Sequence, residues 1–230
     1  MKPLRVFVGM DERQPLAYTV CRSSIERHAK SRVLVEPIRF DWIPGMKRRG
    51  LTQFTFARYM VPWLCGYEGR AIFMDGDIIV RADVHELAES IQEGEVAAVA
   101  KHVARFEWPS VMVFSNWRCK ALTLEYVNDE ANKPHSLEWA APLGTLPEEW
   151  NHCVGYEDHR EDAKLIHFTA GIPCWKETDG SPHAEKWVEE FQHSVGTVSW
   201  EELMGRSVHA PMVKSGVFRK QTQQPAKAAA

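Results

Sequence analysis

The chain has 230 residues, 44% of them hydrophobic, and a formal net charge of -3. That length supports one good core. The near-neutral charge lacks the basic excess that a nucleic-acid partner requires, so a small molecule is the expected ligand. No apolar run reaches the roughly 18 residues of a membrane span. Met1-Lys2-Pro3-Leu4-Arg5 leads straight into a strand rather than a signal peptide, which makes the cytoplasm the expected location. The five cysteines, Cys21, Cys65, Cys119, Cys153 and Cys174, are odd in number and contain no Cys-x-x-Cys pair. This argues against a disulfide framework and a zinc ribbon and for ordinary buried thiols.

In chain order, Leu4 to Val8 reads as a strand, and Gly9 to Arg13 as a turn. Pro15 stands where the first turn of a helix tolerates it, and that helix runs to about His28. Val33 to Ile38 reads as a second strand, its Pro37 suggesting a sheet edge or a strand end. Strand, helix, strand is the opening of an α/β domain with a parallel sheet. In the loop after the first strand, Gly9 and Asp11 would meet a nucleotide; the plainer reading is a strand-to-helix turn with a capping aspartate. Lys47-Arg48-Arg49 lies in a loop, either as a solvated run or as a mobile flap for an anionic ligand. Thr52 to Leu64 reads as a helix from the spacing of Phe56, Tyr59, Met60 and Trp63, bent or ended by Pro62.

Ala71-Ile72-Phe73-Met74-Asp75-Gly76-Asp77-Ile78-Ile79-Val80 is the stretch around which the chain is organised. Four consecutive apolar residues predict a strand buried on both faces, with Asp75 at its carboxyl end, where open α/β sheets collect their ligands. In extended backbone, residues i and i+2 face the same way, and a glycine between them admits a close neighbour. Two like charges so placed are reconciled by a divalent cation. Asp-Gly between apolar runs is also a hairpin signal, so both readings stand at this point.

Further on, Val84 to Leu87 begins a helix, and Val96 to Ala100 and Val111 to Phe114 read as buried strands. Ser115-Asn116 then falls at the presumed ligand edge, as a sugar-binding asparagine or a common turn. Ala140 to Tyr156, rich in proline, glycine and tryptophan, reads as irregular surface. Leu165 to Phe168 reads as a short strand carrying His167, and a lone histidine there is ordinarily a hydrogen-bonded core residue. A helix is expected over Glu185 to Phe191, a second near Trp200 to Met204, and then a tail too polar to order itself.

Together these pieces resemble glycosyltransferase family 8 and its bacterial relatives, retaining enzymes of the GT-A fold that use nucleotide-sugars. The resemblance rests on Val6-Phe7-Val8-Gly9 with Asp11, Phe54-Thr55-Phe56-Ala57-Arg58-Tyr59, Phe73 to Val80, and Ser110 to Asn116. It continues through Leu146-Pro147-Glu148-Glu149-Trp150-Asn151 and His167-Phe168-Thr169-Ala170-Gly171-Ile172-Pro173, so it extends from residue 4 to 175. It implies a single Rossmann-like GT-A domain over residues 1–215, with a mixed, mostly parallel sheet flanked by helices, followed by a disordered tail over 216–230.

The resemblance assigns Asp75, Asp77 and His167 as ligands of Mn2+ or Mg2+, a donor set that suits such an ion chemically. It gives the nucleotide to Val8, Gly9, Asp11 and Gly76, and the donor sugar to Arg58 and Asn116. The family's lysine before Pro-Trp is missing from Ile172-Pro173-Cys174-Trp175, so phosphate contact falls to Thr169, the Gly171 backbone and Lys176. Where the family has an acidic-glutamine segment beside the reacting carbon, this chain has Ser136 to Pro142, and Glu138 alone would stabilise a cationic sugar. The implied activity is metal-dependent, retaining transfer of a hexose from a nucleotide-sugar, a UDP-sugar first, to a hydroxyl acceptor. A GT-A domain that binds without catalysis and a haloacid-dehalogenase-like phosphatase, whose first motif is also Asp-x-Asp, are the alternatives.

Overall fold

The computed structural model describes residues 2–195, so the expected helix near Trp200 and the tail over 216–230 lie outside the described residues. Strand β1 (Leu4–Gly9), helix α1 (Pro15–His28) and strand β2 (Val33–Ile38) form the expected unit, its strands pairing in parallel from Leu4 with Val33 to Gly9 with Ile38. The helix expected over 52–64 is instead a 3-10 turn at Ala57–Met60 and one α turn, α2 (Val61–Leu64). Pro62 is the cause: it has no N–H to donate and its ring clashes with the carbonyl four residues back, so α-helix starts only at its own first turn.

Strands β3 (Arg70–Met74) and β4 (Ile78–Val80), helix α3 (Val84–Glu89), and strands β5 (Ala97–Val99) and β6 (Val111–Ser115) follow. Next come helix α4 (Leu124–Asn128), strands β7 (Leu143–Thr145), β8 (Trp150–Cys153) and β9 (Leu165–His167), and helix α5 (Ala184–Ser194). The stretch expected to be irregular, 140–156, therefore carries two strands. The main sheet has the order β2-β1-β3-β6-β5-β7, with β6 antiparallel to both its neighbours and the other pairings parallel. Pro37 lies on an edge strand, as its ring requires. A second sheet, β4-β9-β8, stands apart. β3 and β4 thus belong to different sheets and do not pair, which excludes the hairpin reading of Asp75-Gly76-Asp77.

Period-two alternation explains why β3 is apolar throughout. Ala71 and Phe73 join a cluster with Phe7, Tyr59, Met112 and Phe114 on one face of the sheet; Ile72 and Met74 join Val6, Val8, Val113 and Trp150 on the other. A third cluster packs α1 and α5 over the small sheet through Leu16, Val20, Ile79, Ile166, Trp187 and Phe191. The three-base loop is anchored beside the first of these clusters by Arg48, whose Nη1 donates to the carbonyls of Val127, Asp129 and Asn132 and whose guanidinium lies over Phe56.

Helix α5 is also tied to α1 by Glu190, a fully buried carboxylate that accepts from Arg27 and Arg81 and lies 3.0 Å from His28 Nε2. Glu190→Gln keeps the shape but removes the charge that holds two arginines. Because those arginines are partly exposed and regain water, the expected cost is about 1–2 kcal/mol, read by urea unfolding; no change would mean the pairs are screened. No helix among the described residues is long and apolar enough to cross a membrane.

Candidate functional site

Parallel β1 and β3 end at the same sheet edge, and antiparallel β6 begins there, so Gly9, Asp75 and Ser110 meet where α/β sheets bind ligands. Asp75 N–H donates to the Ser110 carbonyl at 2.9 Å. The chain then crosses to the small sheet, where antiparallel pairing sets Ile78 against His167, and the Asp77 carbonyl accepts from Phe168 N–H at 3.0 Å. This crossing brings the two carboxylates to the imidazole: His167 Nε2 lies 3.2 Å from Asp77 Oδ1. One donor atom each from Asp75, Asp77 and His167 fall within 4.8 Å of one another, a group able to hold a metal ion.

Arg58 completes the cluster. Its Nη1 donates to the Pro109 carbonyl at 2.7 Å and its Nη2 lies 3.1 Å from Asp75 Oδ1, under the rings of Phe54 and Phe73. Asp75 Oδ1 is buried and accepts no hydrogen bond in good geometry, the state of an oxygen that a cation would satisfy. Burial, with Asp77 and Glu107 adding repulsion against the help of Arg58 and His167, pushes the Asp75 carboxyl up to about 7. For His167 burial works downward, but the Asp77 carboxylate outweighs it and holds the imidazolium well above its usual range. Two carboxylates and an imidazole, with an unsatisfied buried oxygen among them, fit a divalent ion of the manganese or magnesium class.

The remaining expected residues are placed as follows. The Val8 side chain is wholly buried in the core. Gly9 lies against the Phe54 ring, and Gly76 against the Gly9 carbonyl oxygen, 2.4 Å from where a Cβ would stand. Asp11 does not cap the helix, which begins after Gln14 without a side-chain cap; its carboxylate closes a turn on Arg13, accepting from Nε, Nη2 and backbone N–H. Thr169 donates its hydroxyl to the Val154 carbonyl, Gly171 donates its N–H to the Phe168 carbonyl, and Lys176 is exposed. Glu138 is exposed on a 3-10 turn (Glu138–Ala140) whose Trp139 packs on Tyr59 and Phe114.

Asn116 is not at the ligand edge. Because β6 runs antiparallel, its end returns to the amino end of β3, where Ser115 pairs with Arg70 and Asn116 Nδ2 donates to the Glu68 carbonyl at 2.8 Å. The expected placement assumed a parallel strand, and the amino acids of β6 do not encode its direction.

Three neighbours of the cluster were not expected there. Glu107 stands with its Oε2 3.9 Å from His167 Nδ1, its carboxyl raised by burial. Asn151 Oδ1 lies 3.3 Å from the same nitrogen, and Cys153 Sγ 3.8 Å from it. β8 brings the last two: it pairs in parallel with β9, setting Cys153 beside His167, and a bulge at Asn151, with φ of +152°, turns that side chain inward. Cys153 is the buried thiol expected, and it stands beside the imidazole.

No family model matches the chain. Its sequence is 28% identical over 231 residues to Protein CDI of Arabidopsis thaliana, covering 83% of this chain and 87% of that one. Solved structures of similar fold include the bifunctional glycosyltransferase WbbM, with a TM-score of 0.63 at 16% identity over 89% of this chain and 52% of that one. The apo glycosyltransferase GlyE of Streptococcus pneumoniae TIGR4 gives 0.62 at 18% identity over 99% and 66%. The galactosyltransferase LgtC with donor and acceptor sugar analogues gives 0.58 at 11% identity over 86% and 98%. The chain therefore spans about half the length of WbbM and has the α/β fold of GT-A glycosyltransferases, a single domain with a mixed, mostly parallel sheet.

Proposed function

We propose that the chain is a cytoplasmic, divalent-metal-dependent retaining glycosyltransferase that moves a hexose from a nucleotide-sugar, a UDP-sugar first, to a hydroxyl acceptor. The observation that carries the reading is the convergence of Asp75, Asp77 and His167 on the carboxyl edge of the sheet, in a fold shared with glycosyltransferases. A divalent cation held by those three residues would neutralise the charge that grows on a departing nucleoside diphosphate. Arg58 holds Asp75 in place, and the Gly9 to Asp11 turn, stiffened by Arg13, offers backbone at the same edge for a base and ribose. For stabilising a cationic sugar, Glu107, whose carboxylate stands in the cluster, is favoured over the exposed Glu138 that the sequence offered. The likeness to LgtC supports a hexose as the transferred group. The phosphatase alternative is set aside because it predicts a different fold with its Asp-x-Asp on the first strand, and here that motif ends the third.

A second reading, donor binding without transfer, is favoured by one observation: Glu138, the one acidic residue left in the segment expected beside the reacting carbon, is exposed on its turn. Thermal-shift titrations with uridine and guanosine diphosphates and their sugars, with and without Mn2+, test the site on the wild type and on Asp77→Asn. The expected result is a metal-dependent rise of several degrees with one nucleotide, abolished in Asp77→Asn. No shift with any nucleotide would sink the proposal. Slow hydrolysis of the stabilising donor would decide for the enzyme, and an intact donor for the binder.

A further inference from the structure

His167 carries donor groups on both sides of its ring. Beyond Nδ1 lie Cys153 Sγ at 3.8 Å, Glu107 Oε2 at 3.9 Å and Asn151 Oδ1 at 3.3 Å, with Cys153 Sγ 3.8 Å from Asn151 Oδ1. One donor atom each from Glu107, Cys153 and His167 lie within 4.8 Å of one another. Cys153 and Asn151 are wholly buried, and Glu107 retains the little exposure that would admit an ion. Asn151 is oriented for this: its Nδ2 donates to Ser110 Oγ at 3.0 Å, and Ser110 Oγ donates in turn to the Glu107 carbonyl, which leaves Oδ1 facing the thiol and the imidazole. Neither the Asp-x-Asp chemistry nor the proposed transfer uses the thiol.

We infer that Cys153, His167 Nδ1, Glu107 and Asn151 form a second cation site, for an ion of the zinc class, and that it is mutually exclusive with the site at Asp75 and Asp77. The donor set of one sulfur, one imidazole nitrogen and two oxygens selects a borderline-soft tetrahedral ion, whereas the carboxylate-rich site suits manganese or magnesium. Tetrahedral zinc with ordinary bond lengths sets its ligand atoms roughly 3.3–3.6 Å apart. The observed spacings therefore need to close by roughly half an ångström.

Exclusivity follows from the ring. A neutral imidazole has one lone pair and one N–H. With the proton on Nδ1, donated to Asn151 Oδ1, the Nε2 lone pair faces the Asp75 and Asp77 site. With the proton on Nε2, donated to Asp77 Oδ1 at 3.2 Å, the Nδ1 lone pair faces Cys153 and Glu107. Each tautomer is held by a partner already in position, and each completes one site at the expense of the other. Starting from the metal-free imidazolium, binding at the second site releases the thiol proton of Cys153 and the Nδ1 proton to solvent, while Nε2 keeps its own proton toward Asp77; the thiolate and the Glu107 carboxylate balance the ion's two charges.

Co2+ is the probe, because a thiolate bound to it gives a charge-transfer absorption that oxygen and nitrogen ligands do not. The whole chain, freed of metal, is titrated as wild type, Asp77→Asn, Cys153→Ser and Glu107→Gln, each checked for folding by circular dichroism. The expected result is one equivalent of thiolate-bound cobalt in the wild type and in Asp77→Asn. The band should vanish in Cys153→Ser, and Glu107→Gln should bind at least about tenfold more weakly. Zn2+ should displace Mn2+ from the wild type, read as the return of the free Mn2+ resonance signal, at a concentration at least about tenfold lower than from Cys153→Ser, where it competes for the Asp75 and Asp77 site alone. A wild type without the band, or a band that survives Cys153→Ser, overturns the site; simultaneous binding of Mn2+ and Zn2+ overturns the exclusivity. Since Asp77→Asn lacks the site on which the donor proposal rests, its cobalt band reports on this inference alone.

Discussion

Asp75→Asn, stripped of metal, is expected to be more stable than the wild type at pH 8 by on the order of 2–4 kcal/mol, and to lose the response to Mn2+. The wild-type carboxyl is pushed up to about 7 in the folded chain, chiefly by burial, against an ordinary value of 3.8 when unfolded. Between those values the folded state holds a proton that the unfolded state has released. Stability therefore falls as pH rises from about 4 to about 7, and the loss is complete above that window. Asparagine mimics the protonated carboxyl, keeps Arg58 company without a charge and has no such slope. The difference between variant and wild type should accordingly be near zero at pH 4 and largest at pH 8. Urea unfolding across that range in chelator gives the curve; a variant equal to or weaker than the wild type at pH 8 would mean that Arg58, 3.1 Å away, already compensates the charge. Excess Mn2+ should reverse the order, because mass action stabilises only the chain that binds it.

A buried carboxylate is costly unless something meets its charge, and the placement of this one was partly open to the sequence. Asp75 and Asp77 were legible because alternation in extended backbone is local, and Arg58 and His167 because their motifs keep order and spacing along the chain. Whatever depended on strand direction or on very short strands was not legible. Asn116 follows a strand as apolar as β3, and its composition carries no mark that β6 runs the other way. β7 and β8 have three and four residues in a stretch dense with proline and tryptophan, too short for periodicity to register. With β8 unseen, nothing in the sequence could bring Cys153 and Asn151 to His167, which lies 14 residues beyond Cys153. Glu107 was hidden for a related reason: it sits on a 3-10 turn, Arg105–Ser110, that only the antiparallel entry into β6 brings to the ligand edge. Glu138, by contrast, was proposed from its place in a resemblance, and the local backbone turns it outward.

Gly76→Ala should be the most damaging glycine-to-alanine change among the described residues, costing about 3 kcal/mol or more and weakening Mn2+ binding together with stability. The added Cβ would stand 2.4 Å from the Gly9 carbonyl oxygen, against an ordinary contact distance near 3.4 Å or more. No rotamer relieves it, since both atoms are backbone or fixed to it. The strands cannot slide apart cheaply, because Val8 pairs with Met74 one step behind, and the flanking ends are held by Met10 N–H to the Ile38 carbonyl and Asp75 N–H to the Ser110 carbonyl. Overpacking a well-filled interior costs ~1–3 kcal/mol when side chains can adjust, so a clash between two pinned backbones belongs at or beyond the top of that range. A shift of about an ångström also carries Asp75 and Asp77 off the positions that meet His167, and a displacement of that size is enough to spoil a binding geometry. Gly9→Ala is the internal comparison. Its Cβ would meet the Phe54 ring at 2.6 Å, a side chain that can give part of the way, so a smaller loss of stability and a smaller loss of Mn2+ affinity are expected. Urea unfolding with isothermal titration of Mn2+ measures both. If Gly76→Ala comes within about 1 kcal/mol of the wild type, the two loops are looser than their contact implies. If it is as costly as expected, the glycine between the carboxylates is explained by the fold itself: the room it makes is filled by the end of β1, and that contact holds the two aspartates where a cation would find them.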